Sequence, residues 1–223
     1  AGLEWILRSL DNQGHTCLPV DQLIGRLDEL LQTDVDDIAN FIESLLEQGA
    51  LYSTYYEDIL YIYPPEMYVS EVESVHYTKD FLLEADPIAL DIPSFIEKFE
   101  ADNHITFGDA QKEAIQLSFF EKFSLITGGP GTGKTTIIKA LVKGFQLGGL
   151  GRIILCAPTG RAAKRLTEAT EFEATTIHRL LVPVQGSDSY DFTKNEDDPL
   201  DIDVIIIDEA SMLNVRLFYS LMA

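Results

Sequence analysis

The chain is poor in cysteine and in positive charge, and it lacks any long apolar run. Cys17 and Cys156 are the only cysteines among 223 residues, far apart and without His or Cys partners at ligand spacing. That argues against a disulfide framework and a Cys/His metal site, and it fits a reducing, cytoplasmic setting. No stretch of about 18 apolar residues occurs, so no membrane-spanning helix is expected. The opening Ala1-Gly-Leu-Glu-Trp5 has neither the basic n-region nor the apolar run of a signal peptide. With no Met at its head, it is expected to be a cut within a longer protein. Internal repeats and low-complexity tracts are absent too.

What is abundant is acid. The formal net charge is −21, with 37 Asp and Glu against 16 Lys and Arg. Residues 1–100 hold 21 acidic and 4 basic side chains, whereas residues 101–223 hold 16 and 12. A surface as negative as the first half repels nucleic-acid phosphates, so any DNA contact is expected in the second half. At 46% hydrophobic, the chain has enough apolar material for more than one core.

Apolar periodicity predicts helices over Leu3–Leu10, from Pro19 onward (Val20, Leu23, Ile24, Leu27, Leu30), and after a Thr33 or Asp34 cap (Val35, Ile38, Ile42, Leu45, Leu46). Gly49 stands where a helix C-cap glycine belongs. Leu51–Thr54 and Ile59–Tyr63 read as strands around a Tyr-Glu-Asp turn. Three helices and a hairpin follow the winged-helix order. The third helix, the one that enters the major groove in many such modules, offers Asp34, Asp36, Asp37, Glu43 and Glu47 and no Lys or Arg. A structural or protein-contact role is therefore expected for residues 1–85, with a basic protein as a candidate partner. A helix from Glu66 to Glu84, burying Met67, Val69, Val72, Val75 and Phe81, is expected next. Asp86-Pro87 and Ile92-Pro93 mark a linker over residues 86–104, and Gly186–Pro199 reads as an Asp-rich surface loop.

Gly128-Gly129-Pro130-Gly131-Thr132-Gly133-Lys134-Thr135 matches G-x-x-x-x-G-K-[ST], between a β-prone run (Phe123–Thr127) and an amphipathic helix from Thr136 to Phe145. Glycines let the loop backbone wrap phosphates at the positive end of the helix dipole. Lys134 is expected to reach the β- and γ-phosphates of ATP, and Thr135 to coordinate Mg²⁺. About 75 residues on, Val204-Ile-Ile-Ile-Asp208-Glu209 describes a buried parallel strand that delivers two carboxylates. Asp208 suits Mg²⁺ and Glu209 the attacking water. Between them, Arg152–Pro158 reads as another strand, followed by Thr159, Gly160 and a helix start bearing Arg161, Lys164 and Arg165. This is the densest positive cluster of the chain and a natural phosphate site. His178, by its chemistry alone, reads as a packing or capping residue.

Four segments in order resemble motifs I, Ia, Ib and II of RecD-like DNA helicases of superfamily 1B. They are Gly128–Thr136, Ala157–Leu166, Thr176–Leu181 and Ile206–Met212. The type often labelled exodeoxyribonuclease V alpha subunit is the most similar. The implied fold is α/β, a partial P-loop NTPase (RecA-like) parallel sheet over residues 105–223, preceded by the winged-helix-like domain. The resemblance implies an ATP-driven motor moving 5′ to 3′ on single-stranded DNA. It makes Gln111 an adenine reader and places Thr159, Gly160, Arg161, Lys164, Thr176 and His178 along the strand. Relaxase-associated and Pif-type helicases share the Thr-Gly-x-Ala-Ala and Thr-Ile-His patterns, but the Arg161…Lys164-Arg165 spelling and the N-terminal module favour the RecD-like type. The chain stops fifteen residues after Asp208, before the family's Gly-Asp-x-x-Gln sensor, its second-domain arginines and that domain. Residues 1–223 alone are therefore expected to bind nucleotide weakly and hydrolyse it little.

Overall fold

The computed structural model describes residues 2–11, 14–32, 34–82, 88–186 and 190–223. They divide into two compact units: Ala1–Val75 with Asn214–Tyr219, and His76–Leu213 with Ser220–Ala223. No helix among the described residues is long and apolar enough to cross a membrane.

The first unit runs α1 (Gly2–Asp11), β1 (Leu18–Pro19), α2 (Val20–Leu31), α3 (Val35–Glu47), β2 (Tyr52–Tyr56) and β3 (Ile59–Tyr63). Asp34 caps α3 by accepting the Asp36 amide at 2.9 Å, and Gly49 leaves it in the left-handed region at φ +70°. Glu57 and Asp58 both take positive φ, the geometry of a two-residue hairpin turn. The three strands form an antiparallel sheet in the order β1-β3-β2. Ile6, Leu23, Leu27, Ile38, Ile42 and Ile62 are among the side chains closing one core between helices and sheet. This is the winged-helix order, completed by a two-residue β1 too short to leave a period in the sequence.

Next comes α4 (Pro65–Phe81), within which the division between the units falls. Its buried face differs from the expected one. Met67, Ser70 and Ser74 are buried, while Val69, Val75 and Phe81 are exposed. The Ser70 and Ser74 hydroxyls donate to the Glu66 and Ser70 carbonyls at 2.6 and 2.5 Å. Satisfied on their own helix, two small polar groups can face inward at no hydrogen-bond cost.

The second unit contains α5 (Ile92–Asn103), α6 (Asp109–Phe120), α7 (Lys134–Leu147), β4 (Ile153–Ala157), α8 (Gly160–Thr170), β5 (Ala174–Thr176), α9 (Ile177–Leu181), β6 (Val204–Ile207) and a 3₁₀ turn at Ala210–Met212. The last helix, α10 (Val215–Met222), follows. The stretch expected as a linker, 86–104, instead holds α5, capped by Asp91 on the Ser94 amide and hydroxyl. Its Ile92, Phe95, Ile96 and Phe99 join Phe107, Phe119 and Phe145 in the aromatic core. The Asp86-Pro87 step lies outside the described residues, as do residues 187–189 of the expected surface loop.

β5, β4 and β6 form a parallel sheet in that order. Its strands are not the three that the sequence suggests. β5 was hidden in a stretch of only three residues, and Phe123–Thr127 forms no strand. Ile126 packs on the core but Leu125 is 72% exposed. A β-prone run becomes a strand only where a neighbour takes its backbone hydrogen bonds. β6 lies at the sheet edge and is half-buried, not fully buried as expected.

The amino ends of β4 and β6 are clamped by one ion pair. Asp203 accepts the Gly151 and Arg152 amides at 3.0 and 2.9 Å and the Arg152 guanidinium at 3.2 and 2.7 Å. Arg152 also bonds Asp201. These contacts, the guanidinium foremost, hold the Asp203 carboxyl down to about 2. The register Cys156↔Ile207 and Ala157↔Thr176 then brings all three strands to a common carboxyl edge.

Candidate active site

Two parts of the second unit hold the residues that the sequence motifs single out: the glycine loop ahead of α7, and the carboxyl edge of the sheet. In the loop, Gly131 and Gly133 take φ of +76° and +78°, conformations that favour glycine. A Cβ on Gly128 would stand 2.7 Å from Thr132 Oγ1, so a side chain there would displace the Thr132 hydroxyl. Thr132 Oγ1 donates to the Gly129 carbonyl at 2.9 Å. The Lys134 ammonium donates to the Gly128 and Gly129 carbonyls at 2.7 and 2.8 Å. Its charge is thus folded onto the loop, at the amino end of the fourteen-residue α7. First-turn amides, a positive helix end and an ammonium on weak neutral acceptors form a donor set that suits an anionic oligophosphate.

Gln111 is the one residue from outside the loop whose side chain bonds to it among the described residues. Its Nε2 donates to the Thr132 carbonyl and its Oε1 accepts the Gly108 amide, each at 2.8 Å.

The sheet's carboxyl edge gathers the remaining sequence motifs. Asp208 extends β6, its amide donating to the Cys156 carbonyl at 2.9 Å. Glu209 follows at φ +55°, an uncommon backbone for a non-glycine residue and one that recurs at functional turns. At the end of β4, Thr159 Oγ1 caps α8 by accepting the Ala162 amide at 3.2 Å. At the end of β5, Thr176 Oγ1 caps α9 on the Arg179 amide, also at 3.2 Å. Both hydroxyls keep their proton to donate. Arg161, Lys164 and Arg165 are exposed on α8, and Lys164 has only a loose 3.9 Å pair with Glu168. His178 lies edge-on to Phe192 at 5.8 Å, a packing contact of the kind its chemistry suggests.

No hydrogen bond or ion pair joins Lys134 or Thr135 to Asp208 or Glu209 among the described residues. Nor do those residues hold three His, Cys, Asp or Glu side chains grouped as a metal site. A hydroxyl and a carboxylate are nonetheless the donors Mg²⁺ takes when phosphates and waters complete its octahedron. Sequence reasoning missed the Arg152–Asp203 clamp, whose partners stand 51 positions apart with no motif to link them.

The family model described as an AAA domain matches residues 111–223. The chain belongs to this family. Among curated proteins it is 46% identical over 99 residues to the ATP-dependent RecD2 DNA helicase of Deinococcus radiodurans, covering 44% of this chain and 13% of that protein. It is 32% identical over 190 residues to the RecBCD enzyme subunit RecD of Haemophilus influenzae, covering 73% and 29%. With the RecD subunit of Mycolicibacterium smegmatis it shares 35% over 136 residues, covering 51% and 24%. The chain is thus RecD-like over these stretches and spans less than a third of each of these three relatives.

Proposed function

We propose that the protein is an ATP-dependent DNA helicase of the RecD type, translocating 5′ to 3′ on single-stranded DNA. The observation that carries this reading is the common carboxyl edge of β5-β4-β6. It presents Thr176–His178, Thr159–Arg161 and Asp208–Glu209 side by side, where open parallel sheets bind their ligands. The glycine loop ahead of α7 adds donors that suit a triphosphate.

In this reading the loop amides and Lys134 hold the β- and γ-phosphates, with Gly128–Thr136 enclosing them. Thr135 and Asp208 are the protein's donors to Mg²⁺, which neutralises charge on the transferred phosphoryl group when bound. Glu209 orients and polarises the attacking water. Gln111 pairs with adenine. Thr159, Gly160, Arg161, Lys164, Thr176 and His178 contact the DNA strand, the cations on phosphates and the capping threonines through their free protons. Residues 1–85 form a separate module that engages protein rather than DNA, because the acidic α3 opposes any phosphate backbone. The setting is the cytoplasm.

The test is hydrolysis and strand displacement by the full-length protein. ATP turnover stimulated by single-stranded DNA, with unwinding only of duplexes bearing a 5′ overhang, is expected. Unwinding from a 3′ overhang would refute the polarity, and turnover indifferent to DNA would refute the motor.

A further inference from the structure

Gln111 has a role in the loop that adenine reading does not require. Its amide orientation is dictated by its partners: the Gly108 N–H needs the oxygen, and the Thr132 carbonyl needs the nitrogen. One partner stands at the start of α6 and the other in the phosphate loop, 21 positions along the chain from Gln111. The loop's other side-chain bonds, from Thr132 and Lys134, are to its own carbonyls. Those of Lys134 are exchanged for phosphate oxygens on binding, so they cannot hold the loop in the loaded state.

Gly133 bears on the same contact. A Cβ there would stand 2.6 Å from Gln111 Nε2, so the absence of a side chain is what lets the amide reach the loop. The amide also has capacity to spare. Of its two donor hydrogens and two acceptor sites, the loop and Gly108 use one each. One donor and one acceptor remain, the complement of adenine N7 and N6.

We infer that Gln111 is a positioning residue that fixes the phosphate loop to the start of α6, joining base recognition to phosphate binding through one amide. The inference rests on reading Gly128–Thr135 as a nucleotide loop. It predicts that Gln111 affects ligands with no base at all. An adenine reader alone affects only ligands that carry one.

The experiment compares Mg²⁺-tripolyphosphate and Mg²⁺-ATP binding to the full-length protein and its Gln111→Glu variant by calorimetry. Glutamate keeps the acceptor for Gly108 and sets a carboxylate against the Thr132 carbonyl. Tripolyphosphate affinity is expected to fall on the order of tenfold at pH 8, the effect of losing one hydrogen bond to a fixed acceptor. The deficit relative to wild type should narrow toward pH 5, where protonation of the introduced carboxylate restores a donor. Gln111→Met, close in size and helix-compatible, should show the same loss with no pH dependence, and a far-UV circular dichroism spectrum matching wild type would show that it folds. Tripolyphosphate binding equal to wild type in both variants, with ATP alone weakened, would overturn the inference while leaving the nucleotide loop intact. Failure of the wild type to bind either ligand would overturn the loop reading and this inference with it.

Discussion

At Asp203 one carboxylate ties together the amino ends of β4 and β6, two of the strands that form the candidate site's edge. Its four contacts to Gly151 and Arg152 all favour the charged form. The folded value, about 2, lies below the ordinary 3.8, so the stabilisation is fully present above about pH 4 and is lost as pH falls toward 2. Asp203→Asn should therefore lower the thermal midpoint at pH 7, and the gap to wild type should close in that acid window. A gap constant from pH 7 to pH 2.5 would mean that the clamp contributes packing and not charge. The Phe107 amide and, after it, the Lys112 ammonium hold Glu100 down in the same direction, so the comparison with wild type is what isolates Asp203. None of this was legible in the sequence, because residues 152 and 203 meet only once the parallel strands pair. The loop residues were legible, since their spacing follows from local geometry that a short motif encodes whole.

Helix α7 shows how one element serves both site and core. Its amino end begins at Lys134, and its body presents Ile137, Leu141 and Phe145 to one core and Ile138 and Val142 to another. Gly144 sits where a Cβ would stand 2.3 Å from Phe119 Cζ and 3.1 Å from Phe95. Gly144→Ala gains about 1 kcal/mol of helix propensity but overpacks these rings, at a cost of about 1–3 kcal/mol. The expected net result is a lower denaturation midpoint; a higher one would show that the two rings yield freely. On α8, Thr159→Ala removes a cap worth about 1 kcal/mol, a loss readable by chemical denaturation. An unchanged midpoint would show that the hydroxyl is not needed there. At this scale periodicity located α2, α3 and α7 well. It located α4 and its buried Met67 but missed the serines that share that inward face, and it failed for Phe123–Thr127, whose β propensity met no paired neighbour.

Across the whole molecule the charge is divided as the proposed function needs. The acidic first hundred residues carry −17 of the net −21, and the rest of the chain carries the exposed cations of α8. Lys164→Ala should weaken single-stranded DNA binding and reduce the slope of log K against log salt by about 0.7. The triple change Asp36→Asn, Asp37→Asn, Glu43→Gln on α3 should leave that affinity within about twofold at physiological salt, because surface charges that touch no phosphate count for little once screened. A tenfold change would place α3 against DNA and remove the case for a protein-contact module. The charge division and the motif order could both be read from the sequence. The sheet order that lines up the motifs on one edge could not.

Every role proposed for the site depends on the loop at Gly128–Thr135 holding Mg²⁺-ATP. The most direct measurement is steady-state ATP hydrolysis by full-length Lys134→Ala with saturating single-stranded DNA, beside wild type. Loss of DNA-stimulated turnover to background, with an unchanged melting midpoint, is the expected result; turnover retained near the wild-type rate would mean that another site binds and hydrolyses ATP.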